Sequence, residues 1–79
     1  MSPTVFRHKN FRFFFFSREE KRKHVHVTSP NGEAKFWLEP VVTLAKHTYC
    51  SERVLKELKK IVEEHKDEIE KAWDQFFKS

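Results

Sequence analysis

Residues 11–16 read Phe-Arg-Phe-Phe-Phe-Phe, and no other stretch restricts the fold of this chain as tightly. In a strand, successive side chains point to opposite faces. Phe11, Phe13 and Phe15 therefore share one face, and Arg12, Phe14 and Phe16 share the other. One phenylalanine face supplies a core. The second needs a cover of its own, from the chain or from a partner.

The sequence changes character near residue 50. Before it, β-type runs at 4–7, 11–16, 24–28, 34–39 and 41–45 alternate with turn signals at 8–10, 17–23, 29–32 and Pro40. After it, Ser51 is placed to cap a helix. Val54, Leu55, Leu58, Ile61, Val62, Ile69, Trp73 and Phe76 then recur at steps of three and four, an apolar stripe on a charged helix. Glu52/Lys56 and Asp67/Lys71 add acid-first pairs at i, i+4. The spacing predicts one continuous amphipathic helix over about 52–77, about 39 Å long. Asp67 with Glu70 offers the alternative, a helix restarted after a kink near His65. Strand patterns first, a helical pattern last and no βαβ alternation predict an α+β fold. It is a small antiparallel sheet of four or five strands over residues 4–45, with the helix packed on one face. At 79 residues the chain makes a single domain, 1–79.

Asn31-Gly32 marks a hairpin. A two-residue loop sets His26 opposite Trp37. A four-residue loop sets His26 opposite Lys35, His24 opposite Trp37 and Val25 opposite Phe36. Both sort the faces identically. Val25, Val27, Ala34, Phe36 and Leu38 face the helix, and His24, His26, Lys35 and Trp37 face away. With Phe13 on the core side, Arg12, Phe14 and Phe16 join that second face, and these seven are the candidate binding residues. A sheet face of rings, imidazoles and cations suits burial under a partner protein. It also suits stacking of unpaired bases while cations hold phosphates. Covering by the chain's own loops, or by the segment 40–47, is the third reading.

His24 and His26 lie two apart on one strand, so their rings point the same way. With Glu33 or another His they could ligate a metal. They also have the makings of the acid and base of a metal-independent endoribonuclease, with Lys35 or Arg12 steadying a phosphorane-like charge. The plain alternative is a half-buried strand with amphipathic residues on its outer side. His8 falls in a turn and His47 before the helix, and His65 lies at the edge of the apolar stripe. Cys50 is the only cysteine, which excludes an intrachain disulfide and a Cys-rich zinc site. A helix start can lower a thiol pKa, but without a His/Asn pairing Cys50 reads as structural. There is no Gly-rich phosphate loop, Walker pattern or zincin motif, so no cofactor is expected.

The formal net charge of +4 is unevenly spread. Residues 1–50 hold nine Lys/Arg against four Asp/Glu, and residues 51–79 hold seven against eight. Arg18, Lys21, Arg22 and Lys23 lead directly into His24 and extend the basic edge. A basic half calls for an acidic partner, protein or nucleic acid. No stretch approaches the roughly 20 apolar residues of a membrane span. The N-terminus lacks a signal-peptide core, and a cytoplasmic location is expected.

The ordered motifs Pro-Thr-Val-Phe-Arg-His-Lys-Asn-Phe-Arg-Phe-Phe-Phe-Phe-Ser, His-Val-His-Val, Glu-Ala-Lys-Phe-Trp-Leu-Glu-Pro-Val and a closing Glu-Ile-Glu-Lys-Ala-Trp-Asp-Gln-Phe-Phe resemble a family of small bacterial proteins, domain of unknown function 4160. The resemblance runs from Pro3 to Phe77. Its recurring elements correspond to Phe6, Arg7, Arg12, His24, His26, Lys35, Phe36 and Trp73. Two departures stand out: Lys-Arg-Lys before His24, where prolines are common, and Tyr49-Cys50 before Ser51, where Gly-Phe is common. Members are often encoded beside a second small protein, which implies one half of a toxin–antitoxin-like pair with no established activity to transfer. The leading expectation, drawn from the open face formed by the seven candidate residues, is a non-enzymatic protein-binding module, the small basic member of such a pair, its partner a homodimer mate or the neighbouring gene's product. An RNA-binding protein or endoribonuclease using His24 and His26 is the alternative.

Overall fold

The computed structural model describes residues 4–16 and 21–77. Arg18, one of the basic-edge candidates, lies outside them. Alternation builds β1 (Thr4–His8), β2 (Phe11–Phe14), β3 (His24–Thr28), β4 (Glu33–Trp37) and β5 (Thr43–Thr48), and the stripe builds α1 (Glu52–Glu64) and α2 (Lys66–Phe76). The sheet is a five-stranded antiparallel meander in the order β1-β2-β3-β4-β5. The α+β architecture is the one the patterns dictate. The fifth strand lies later than residues 41–45: Val42 is buried ahead of it, and pairing continues to Thr48.

Both hairpin tips show why the chain turns where it does. Lys9-Asn10 joins β1 to β2, with His8 opposite Phe11 and Lys9 at φ 56. The Lys9 ammonium donates to Glu57 at 2.8 Å, which holds this tip to α1 and keeps the Glu57 carboxyl below its ordinary pKa. Between β3 and β4 the four-residue loop is the one adopted, with Thr28 opposite Glu33. Ser29 organises it, its Oγ accepting from the amides of Asn31 and Gly32 at 3.3 and 3.2 Å. Gly32 is required by proximity: a Cβ there would lie 2.5 Å from the Thr48 carbonyl oxygen and 2.7 Å from that of Tyr49.

Tyr49, between β5 and α1, sits at φ 56 with 87 % of its surface exposed. A Cβ in that left-handed region costs about 1–2 kcal/mol, and little burial offsets it here. Tyr49→Gly is expected to leave stability unchanged or raise it by up to about 1 kcal/mol, glycine's extra unfolded freedom offsetting part of the relief. Urea titration against the parent chain checks it.

Ser51 caps α1 as its position dictates, its Oγ accepting from the Val54 amide at 3.2 Å. The expectation of one continuous helix is corrected: the helix breaks at His65 (φ −107, ψ 15). The restart carries no side-chain cap at its N-terminus, so Asp67 does not play that role. Instead the His65 ring lies 4.6 Å from Phe6 and its Nδ1 meets the Glu68 carboxylate at 3.0 Å. The two helices divide the apolar stripe between them. The bend brings Ile69 and Trp73 back onto the core begun by Leu58, Ile61 and Val62. Beneath them lie Phe13, Phe15, Val25, Val27, Phe36 and Leu38, the face that alternation assigned to the helix. No helix among the described residues is long and apolar enough to cross a membrane.

Candidate functional site

The registers lay out the second face in rows. Thr4, Phe14, His26, Lys35 and Lys46 form one, Arg7, Arg12, Thr28, Glu33 and Thr48 the next, and His24, Trp37 and Thr43 a third. All seven candidates thus share the face, and their rings interlock. Phe14 stacks on His26 at 5.5 Å and meets Phe16 edge-on at 5.1 Å, while Phe16 meets His26 at 4.5 Å. His24 contacts His26 at 5.3 Å and Trp37 at 5.6 Å. Cations lie on the rings: Arg12 over Phe14 at 4.6 Å, with Arg22 and Lys35 over Trp37 at 4.4 and 4.5 Å. Arg22 also donates twice to the Glu39 carbonyl, at 3.1 and 2.9 Å.

The expectation of an uncovered face is corrected at its centre. Phe14 is 7 % exposed, Lys35 6 % and His24 fully buried, with His26 at the border of burial. Arg12 and Trp37 are half-buried, and Phe16 alone of the seven is exposed, at 42 %. The interlocked rings and their cations account for much of this closure. Trp73 completes it at one end, touching Phe15 on the helix face at 5.4 Å and His24 on the second at 4.9 Å. Lys23 secures that end through Asp74 at 3.1 Å and Glu70 at 3.9 Å, and the hydrogen bond to Asp74 raises its pKa.

Both rings of the His-x-His pair are packed into the face. The His24 Nδ1 lies 2.6 Å from the Arg22 carbonyl oxygen, which can only accept, so this nitrogen carries the proton. Among the described residues no group of three or more His, Cys, Asp or Glu is placed to hold a metal, so Glu33 does not complete a site with His24 and His26. The Cys50 thiol donates to the Glu33 carbonyl at 3.3 Å, and burial with the nearby Glu33 charge pushes its pKa up, opposite to a reactive thiol. A cleft of about 140 Å³ beside β5 is lined by His26, Glu33, Ala34, Lys35, Lys46, His47 and Thr48. Lys46 and Thr48 were missed in the sequence because the irregularity between Lys35 and Phe36 shifts the β4–β5 register. The β-branched Thr48 just ahead of the Ser51 cap was the available signal.

This meander, with its ring-filled second face, is matched from Asn10 to Asp74 by the family profile for the domain of unknown function DUF4160. The chain belongs to that family. No match was found among curated proteins or among solved structures. The DUF4160 match spans Phe14, His24, His26, Lys35 and Trp73, so β2 to β5, α1 and most of α2 fall inside it, with β1 ahead of it.

Proposed function

We propose that this DUF4160 protein is a non-enzymatic, cytoplasmic protein-binding module, the basic member of a two-gene pair of the toxin–antitoxin kind. Its partner seats on Phe16 and the cation-bearing rim formed by Arg12, Arg22 and Trp37. The observation that carries this reading is the contrast on one face: Phe14 is buried among its neighbours while Phe16, two residues on, stays 42 % exposed. An exposed aromatic anchor on a face that also carries the half-buried Arg12 and Trp37 and the exposed Arg22 has the composition of an interface hot spot. The pairing with a neighbouring gene rests on the family resemblance.

Base stacking is less well served, because stacking needs open ring faces and those of Phe14 and Trp37 already carry Arg12, Arg22 and Lys35. An acid–base pair for RNA cleavage must reach the phosphodiester, and His24 has no exposed surface.

Co-expression with the neighbouring gene's product, followed by size exclusion with light scattering, tests the proposal. A stable complex is expected, and Phe16→Asp should weaken it by about 30-fold or more while the domain still melts cooperatively. A monodisperse monomer with no complex, or a Phe16→Asp complex of undiminished affinity, overturns it. Labelled single-stranded RNA titrated at moderate salt should give flat anisotropy; saturable, salt-sensitive binding would transfer the face to nucleic acid.

A further inference from the structure

Three connections meet at one end of the sheet. Lys9-Asn10 joins β1 to β2, the loop after Thr28 joins β3 to β4, and Tyr49-Cys50 leads from β5 towards α1. A cleft of about 140 Å³ where they meet is lined in part by Asn10, Phe11, Cys50 and Val54. A second, of about 320 Å³, is lined in part by Gly32, Glu33 and Thr48. Ser29, Pro30, Asn31 and Tyr49 border both.

Tyr49 is the unusual residue among them. Its left-handed backbone, at φ 56, is disfavoured for a side chain with a Cβ. At 87 % exposure the residue gains almost no packing in return. The chain nonetheless fixes it from two sides. Gly32 approaches so closely that a Cβ there would lie 2.7 Å from the Tyr49 carbonyl oxygen, and the Cys50 thiol donates to the Glu33 carbonyl at 3.3 Å. A strained residue held by its neighbours, open to solvent and bordering two clefts, has the build of a recognition site. Holding it in place beforehand lowers the ordering cost of binding.

The lining restricts the ligand. The smaller cleft has no Asp, Glu, Lys, Arg or His in its lining, and the larger has only the exposed Glu33. A phosphate or carboxylate would find no cation in either. Aromatic and aliphatic groups beside two asparagine amides suit an uncharged ligand with apolar rings and hydrogen-bond acceptors. An added β-strand does not fit, because turns and the ends of elements, rather than the flank of a strand, make up the smaller cleft. A polyproline II segment does fit. Its pyrrolidine rings pack on aromatic side chains, and its carbonyls, unpaired within that helix, accept from side-chain amides. We infer that Tyr49 and its two clefts bind an uncharged, proline-rich segment of a partner. The site is separate from Phe16, since Phe11 opens β2 at this end and Phe16 lies beyond the other.

Titration of decaproline into the isotope-labelled full chain, read by backbone amide correlation spectra, tests this beside a Gly-Ser peptide of equal length. Decaproline should shift the amide signals of Asn10, Asn31, Gly32 and Cys50 saturably and leave those of Val25 and Phe36 in place. The Gly-Ser peptide, neutral but without the preformed helix, should bind at least about tenfold more weakly. Tyr49→Gly should also weaken decaproline binding at least about tenfold, with a urea midpoint no lower than the parent's. No saturable shifts, equal binding of the Gly-Ser peptide, or undiminished binding by Tyr49→Gly overturns the inference. Shifts that gather around Phe16 and Trp37 instead would also overturn it, by moving the proline segment to the second face.

Discussion

Phe14→Asp is expected to unfold the domain. Truncating a buried phenylalanine costs about 3–5 kcal/mol, and a carboxylate at a site 7 % exposed adds a desolvation cost. Domains of this size are stable by about 4–12 kcal/mol in all, so the two costs consume much or all of the margin. Phe14 also stacks on His26 and underlies Arg12, so the change disturbs packing across β2 and β3 at once. Near-UV circular dichroism and urea titration read the outcome, and a cooperative transition at the parent midpoint would contradict it. Phe14→Leu keeps apolar volume and should lose only about 1–2 kcal/mol. The second face would then count as a second packed layer rather than as a surface.

Trp73→Ala should be nearly as damaging, with a loss of about 3–5 kcal/mol, and its damage should be local. Trp73 touches Phe15, His24 and Phe77, closing the end of the sheet between its two faces. Without it α2 loses its main anchor beyond Ile69, and His24 gains access to water. Amide hydrogen exchange is expected to show protection falling across Lys66–Phe76 well before Glu52–Glu64. Equal loss in both helices would mean that the bend at His65 transmits strain as a continuous helix does.

Much of this fold was legible because it rests on period. Two-residue alternation assigned Val25, Val27 and Phe36 to one face and His24, His26 and Lys35 to the other, and three-and-four spacing assigned Leu58, Ile61, Val62 and Ile69 to the core. Gly32 was a sound turn signal for a different reason: the close approach of Thr48 and Tyr49 demands it, at an ordinary φ. The closure of the second face was not legible, since it depends on Arg22 folding over Trp37 and Trp73 reaching His24, contacts between residues far apart in sequence. The end of β5 was hidden by a register shift, which leaves no mark in local composition. The helix break was hidden because the three-and-four spacing of the stripe carries on from Val62 to Ile69, with no Pro or Gly to mark His65.

Each strand pairs with the one made just before it, so during synthesis the sheet is complete once Thr48 has emerged. The helices that cover Phe13, Val25 and Phe36 arrive later, and Trp73 later than Leu58, Ile61 and Val62. A ribosome that stalls between those points, or a message cut short there, would release a finished sheet with a bare phenylalanine face. Such a product is sticky by construction, and the cell's proteases and chaperones would meet it far more often than they meet the full-length chain.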